Sequence, residues 1–279
     1  MQPTHPPETA LIAFVGGGNM AACLIGGLLA AGHPWTRLAV AETAPERAQW
    51  LAREFGVRVV PRAAELAAEA DALVLAVKPQ QMTAALQGWR PKAGALVLSI
   101  AAGVTLAWLR RRLGDQAQFV RSMPNTPALL RAGISGLYAP PEVTPAARAQ
   151  AEHILRTAGD CVWLDREAQL DAVTALSGSG PAYFFLLTEV LREAGARLGL
   201  PGATAARLAL CTFTGAARMA ETGQDVAELR AQVTSPGGTT EAALRVLEDR
   251  GLRRLFDEAL HAACARSREL GAALERETP

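Results

Sequence analysis

The sequence is short of the residues from which most catalytic centres are built. It contains four histidines, and His5, His33, His153 and His261 stand in none of the motifs described below, so neither a Ser-His-Asp arrangement nor metal-ligand spacing appears. The cysteines Cys23, Cys161, Cys211 and Cys264 form no C-x-x-C pair, which argues against a structural zinc site and gives no disulfide framework. Buried free thiols in a reducing compartment are expected. Charge of one sign is also missing: 28 basic residues balance 27 acidic ones with no long run of either, so nothing points to nucleic acid or to an anionic membrane. No apolar run reaches the roughly 18 residues of a membrane span. The Pro-rich first residues lack the basic and apolar segments of a signal peptide, and a cytoplasmic protein is expected. The apolar half of the composition is ample for the core of one or two domains.

What is present begins with an apolar run, residues 11–15, that enters Gly16-Gly17-Gly18-Asn19-Met20-Ala21 and then a helix-compatible stretch rich in Ala and Leu. Gly16 and Gly18 fit the first two positions of G-x-G-x-x-G/A, and Ala21 fits the small third. Without Cβ atoms the backbone can turn tightly and approach a pyrophosphate, whose charge then faces the amides of the following helix. A plain structural turn is the alternative; the flanking strand and helix favour a dinucleotide site. Residues 38–41 read as the second strand, ending at Glu42-Thr43. An acidic residue about 20 positions beyond the glycines bonds the adenosine ribose and favours NAD, whereas Thr43 and Arg47 suit a 2′-phosphate. Both readings stay open at this point.

The alternation continues with a helix at 45–55, a strand at 57–60, a helix at 63–69 and a buried strand at 72–77 that ends in Lys78-Pro79. Ligands of open parallel sheets bind beyond the carboxyl ends of strands, which puts Lys78 on the edge of the glycine loop. A strand at 95–100 runs into Ala101-Ala102-Gly103, small residues suited to lying against a flat ring. A strand at 118–121 leads into Ser122-Met123-Pro124-Asn125-Thr126-Pro127. Its two prolines predict a stiff turn without helix or ladder, where the Asn125 amide could orient a nicotinamide. A β-α-β pattern at 133–138, 145–157 and 161–164 completes an α/β, Rossmann-type parallel-sheet domain over 10–166.

From residue 167 to 279 strand signals stop and an all-helical domain is expected, with helices at 169–176, 181–198, 203–221, 226–232, 241–249 and 252–274. Two turns interrupt it. Ser177-Gly178-Ser179-Gly180-Pro181 suits a capped helix start. Ser235-Pro236-Gly237-Gly238-Thr239-Thr240 opens another helix with amides and hydroxyls fit for a small carboxylate. The 181–198 helix is apolar nearly all round, which predicts burial in a core or at a subunit interface. Glycines, hydroxyls and one lysine leave the motifs without a strong acid. Reducing a ketone needs a proton donor for the alkoxide, whereas a protonated imine needs only hydride and placement, and Thr240 could orient its nitrogen.

Together these stretches resemble the pyrroline-5-carboxylate reductase family. The resemblance rests on residues 14–21, 76–79 and 123–127, and especially on 175–183 together with 233–241, and it spans residues 11–270. It implies a Rossmann domain, an all-helical dimerisation domain and reduction of L-1-pyrroline-5-carboxylate to L-proline by NADPH, with NADH as the alternative cofactor. It further implies cofactor contacts from Val15, Gly16, Gly17, Gly18, Asn19, Met20, Thr43, Ala76, Val77, Lys78, Pro79, Ile100, Ala101 and Ala102. Substrate contacts are implied from Ser235, Gly237, Gly238, Thr239 and Thr240, with Thr240 at the imine nitrogen, and from Gln232 and Glu167. Dimers with interlocking helices, assembled into decamers, are also implied. Glu42 and Ala63 depart from the serine or basic residue and the asparagine that many relatives carry. The competing readings are another two-domain imine or oxoacid reductase, which would need a catalytic lysine that does not occur after Lys92, and a non-enzymatic dinucleotide-binding protein.

Overall fold

The structure, a computed structural model, describes residues 10–276. Its first part runs β1 (Ile12–Val15), α1 (Asn19–Ala30), β2 (Leu38–Ala41), α2 (Pro45–Phe55), β3 (Arg58–Val60), α3 (Ala64–Ala67), β4 (Ala72–Leu75), α4 (Met82–Ala85), β5 (Leu96–Ser99), α5 (Leu106–Leu113), β6 (Gln118–Met123), β7 (Gly133–Tyr138), α6 (Pro145–Arg156) and β8 (Gly159–Trp163). These strands form one sheet in the order β3-β2-β1-β4-β5-β6-β7-β8. All neighbours are parallel except β6 and β7. β1, β2, β4 and β5 are buried along their whole length, as strands covered on both faces must be. One face packs Phe14, Leu24, Ile25 and Val120; the other packs Leu66, Leu73, Trp108 and Phe119.

The register aligns the strand ends. Val15 pairs with Ala41 and Leu75, Leu75 with Ser99, and Ser99 with Arg121. The chain therefore leaves β1, β2, β4 and β5 at one level, and β6 two residues beyond it. Strand order reverses between β1 and β4, which makes the crevice beyond their carboxyl ends the topological switch point.

The predicted strands are found within a few residues, and four local expectations are corrected. The helix expected at 63–69 shrinks to α3, because Asp71 is already committed to Leu11 through its backbone amide and its carboxylate. A 3₁₀ turn, Pro79–Gln81, and the short α4 fill a stretch for which no helix was expected, with Pro79 at the start, where its missing N–H costs nothing. The Pro-rich turn after β6 does contain helix, a 3₁₀ segment Thr126–Leu130 with Pro127 in its first turn. The interruption expected near 177–181 is narrowed to a π-bulge and a single bend at Ser179, after which a new helix opens with Pro181 in its first turn as expected. Beyond α7 (Gln169–Val173) the chain passes through a π-helical segment, Thr174–Gly178, in which the Ser179 amide reaches back to the Thr174 carbonyl at 2.8 Å. Ser177 hydrogen-bonds the Val173 carbonyl instead of capping. A Cβ at Gly178 would lie 2.7 Å from Met123 Cε. Such bulges cluster at functional sites.

The remaining helices are α8 (Gly180–Arg197), α9 (Gly202–Ala220), α10 (Val226–Gln232), α11 (Thr239–Asp249) and α12 (Leu252–Glu275). Contacts divide the chain into two compact units, one holding residues up to 179 with those from 263 onward, the other 180–262. Within the second unit Phe184 stacks on Phe213 at 5.7 Å and Tyr183 meets Phe256 edge-on. Phe185, Leu186, Val190 and Leu191 nevertheless stay exposed on α8. A stripe of that size is the mark of an interaction surface. The cysteines are unpaired, but only Cys161 is fully buried and Cys211 is exposed, so the expectation of four buried thiols is corrected. No helix among the described residues is long and apolar enough to cross a membrane.

Candidate active site

The first unit gathers nearly all the predicted cofactor residues on one sheet edge. Val15 ends β1, Glu42 and Thr43 follow β2, Ala76, Val77, Lys78 and Pro79 follow β4, Ile100, Ala101 and Ala102 follow β5, and Asn125 follows β6. Gly16 has φ +95°, a value costly for any residue with a Cβ. A Cβ there would also lie 2.7 Å from Val77 Cγ1. Gly18 opens α1 without a side-chain cap and faces open space. The first-turn amides of α1 are thus left for an anion, with Asn19 exposed and Met20 half-buried beside them.

Glu42 is fixed on both oxygens. Oε2 accepts from the Gly17 amide at 2.9 Å and Oε1 from the Ala44 amide at 2.8 Å. Arg47 donates from Nε to the Gly17 carbonyl at 2.6 Å, lies 4.1 Å over the Trp50 ring, and keeps Nη2 buried without a hydrogen-bond partner. A carboxylate at the end of β2, an uncapped helix start and an unspent guanidinium nitrogen beside the glycine loop are the donors and acceptors that a dinucleotide's ribose and phosphates require. The residues present therefore fit the cofactor. Lys78 is exposed and Ala63 is buried.

Asn125 is held by its own side chain, whose Oδ1 accepts from the Ile134 amide at 2.9 Å. That bond leaves the NH₂ as the donating end. Glu167 lies in the first unit, where its Oε1 accepts from the Leu106 amide at 2.8 Å and from Arg121 Nη1 at 2.6 Å. Sequence reasoning passed over Arg121, buried at 6% exposure. An arginine inside the apolar run Phe119-Val120-Arg121 was the available signal, because a buried charge needs a partner.

In the second unit the turn after α10 behaves as its composition demands. Gly237 takes φ +71° and Gly238 starts α11 with no side-chain cap. The Glu241 carboxylate accepts from the Gly237 amide at 2.6 Å, and the Gly238 amide bonds the Ser235 carbonyl. Those two amides, expected to be free, are thus spent on shaping the turn. The first-turn amides of α11 remain beside Thr239 and Thr240. Ser235, Thr239 and Gln232 are exposed and Thr240 is half-buried. Thr234 turns its hydroxyl to the Arg230 carbonyl. Among the described residues no group of three His, Cys, Asp or Glu side chains could hold a metal ion.

Comparison with known proteins adds independent findings. Residues 167–270 match a family model described as pyrroline-5-carboxylate reductase dimerisation. Residues 11–103 match one described as NADP oxidoreductase, coenzyme F420-dependent. A pyrroline-5-carboxylate reductase of Pseudomonas aeruginosa is 51% identical over 266 residues, covering 94% of this chain and 97% of its own. A solved pyrroline-5-carboxylate reductase of Coxiella burnetii superposes with TM-score 0.85 at 43% identity, covering 94% of this chain and 98% of its own. That of Plasmodium falciparum, solved with NADP bound, gives 0.82 at 28% identity, covering 95% and 99%.

Proposed function

The chain belongs to the pyrroline-5-carboxylate reductase family, and on that premise we propose which of its residues carry the reduction of L-1-pyrroline-5-carboxylate to L-proline, the last step of proline biosynthesis. It is an NAD(P)H-dependent oxidoreductase. When bound, the reduced nicotinamide supplies a hydride to the ring carbon of the C=N bond. The protein's part is to hold the two rings together and stabilise the charge as it moves.

The observation that carries this reading is the turn at 235–240. Uncapped α11 offers its first-turn amides and the positive end of its dipole to the substrate carboxylate, with Ser235, Gly237, Gly238 and Thr239 shaping the cradle. Thr240, on the same first turn, orients the imine nitrogen through its hydroxyl. Gln232, at the end of α10, flanks the turn. No general acid is required, since the iminium brings its proton in and the product amine keeps it.

Cofactor binding falls to the strand-end residues of the first unit. Gly16, Gly17, Gly18, Asn19 and Met20 take the pyrophosphate, Glu42 and Thr43 meet the adenosine ribose, and Ala76, Val77, Lys78 and Pro79 flank the switch point. Ile100, Ala101 and Ala102 back the nicotinamide, and Asn125 offers it an amide. NADPH is the proposed working cofactor, with the unspent Nη2 of Arg47 as a donor for a 2′-phosphate and NADH as the alternative that the Glu42 carboxylate favours. Residues 10–166 act as the dinucleotide domain and 167–279 as the substrate and dimerisation domain, in a cytoplasmic homodimer able to assemble into a decamer. The exposed apolar stripe of α8 supports the dimer. Incubating the purified protein with pyrroline-5-carboxylate and either reduced nicotinamide tests the reading: nicotinamide oxidation with stoichiometric proline is expected, and no turnover with either cofactor overturns it.

A further inference from the structure

We infer that Arg121 and Glu167 are positioning residues for the hydride-transfer geometry, a strut that holds the two strand-end connections backing the nicotinamide. The inference rests on the reading above that Ile100, Ala102 and Asn125 face that ring.

The geometry is a three-way junction on one atom. Glu167 Oε1 accepts from Arg121 Nη1 at 2.6 Å and from the Leu106 amide at 2.8 Å. Leu106 is the first residue of α5 and ends the loop that begins at Ile100. Arg121 stands in β6, two residues before the strand ends at Met123, and pairs with Ser99 at the end of β5. Glu167 itself lies in the connection from β8 to α7. One carboxylate oxygen thus ties together the chain leaving β5, the chain leaving β6 and the entry to the helices.

The Arg121 side chain is 7% exposed and that of Glu167 28%. A pair so placed gains little net stability over an apolar substitute of the same volume, because desolvation offsets its attraction. What an apolar pair cannot supply is direction: charge-assisted bonds of this length are strong and directional, and they hold the two backbone segments in a set relation. Displacement of a reacting group by about 1 Å costs roughly 100-fold in rate. Neither residue needs to touch the substrate for its loss to be felt there.

The test compares Arg121→Gln, Glu167→Gln and the double variant in the full-length enzyme. Each single change should lower kcat about tenfold, the double change should be no worse than the worse single one, and KM for pyrroline-5-carboxylate should stay within about twofold. The isotope effect with 4-deuterated NADPH should grow as hydride transfer becomes slower. Equilibrium binding supplies a readout apart from turnover: affinity for NADP⁺ should weaken while affinity for 2′-phospho-ADP-ribose, which lacks the nicotinamide, stays at the wild-type value. Should either glutamine variant fail to fold, Arg121→Lys carries the same comparison. A rise confined to substrate KM in Glu167→Gln, additive losses in the double variant, or a lower melting temperature with unchanged kcat and NADP⁺ affinity would each overturn the inference. Ala102→Leu tests the underlying reading separately. If it leaves NADP⁺ affinity unchanged, the placement of the nicotinamide fails; if it weakens NADP⁺ and the strut variants do nothing, the strut alone fails.

Discussion

Glu42 accepts a hydrogen bond from the Gly17 amide at 2.9 Å, so the acidic end of β2 is fastened to the glycine loop proposed to cradle the pyrophosphate. Its second oxygen is held by the Ala44 amide, and the carboxylate is a fixed negative charge at the proposed adenosine-ribose position. A fixed carboxylate suits a free 2′-hydroxyl and opposes a 2′-phosphate. Replacing Glu42 by Ser should raise the ratio of kcat/KM for NADPH to that for NADH by about tenfold, equivalent to about 1.4 kcal/mol. An unchanged ratio would mean that Glu42 does not select the cofactor.

Gly16 combines φ +95° with a Cβ position 2.7 Å from Val77 Cγ1. Gly16→Ala should cost roughly 1–3 kcal/mol of stability from backbone strain and weaken the binding of both nicotinamides by displacing the loop. Chemical denaturation and fluorescence titration read the two effects. Gly18→Ala, in open space, should spare stability while weakening cofactor binding.

Cys161 gives the fold a dependence on alkaline pH. Burial pushes its thiol up to about 12 from an ordinary value near 9. In the unfolded chain the thiol ionises first, so the stability that the neutral thiol contributes is complete below about pH 9 and is lost as pH rises toward 12. The melting-temperature advantage of wild type over Cys161→Ala should therefore shrink across that window. A gap independent of pH would contradict the assignment.

Phe185 and Leu191 are 65% and 57% exposed on α8, a cost that a second copy of the chain packed on this face would remove. Light scattering should give a mass of at least twice that of the chain. Phe185→Glu combined with Leu191→Glu should yield monomers or aggregates with activity reduced at least tenfold. A fully active monomer in either protein would contradict the oligomer.

Much of this was legible in the sequence, for physical reasons that differ from one residue to the next. The buried strands at 12–15, 72–75 and 96–99 announce themselves as short apolar runs bounded by small residues, and parallel topology then places their carboxyl ends together. Gly16 and Gly237 were legible because a left-handed backbone conformation selects glycine. The pairs that fix the site were not. Glu42 with Gly17 and Arg121 with Glu167 join residues 25 and 46 positions apart, distances over which local pattern carries no information. The π-bulge at Thr174–Gly178 has no signature of its own in the sequence, because Ser, Gly and Pro there signal only a helix end; the hydroxyl of Ser177 bonds the Val173 carbonyl one turn back. The Glu241 bond to the Gly237 amide likewise turned an expected ligand donor into a structural one.

Thr240 is the residue on which the proposed reduction depends most directly. Steady-state kinetics of Thr240→Ala with pyrroline-5-carboxylate should show kcat/KM lowered by roughly 10- to 1000-fold through loss of the hydrogen bond that orients the imine nitrogen, with Thr240→Ser recovering most of it and cofactor affinity unchanged. Wild-type kinetics in Thr240→Ala would remove the turn at 235–240 from the reaction and contradict the account.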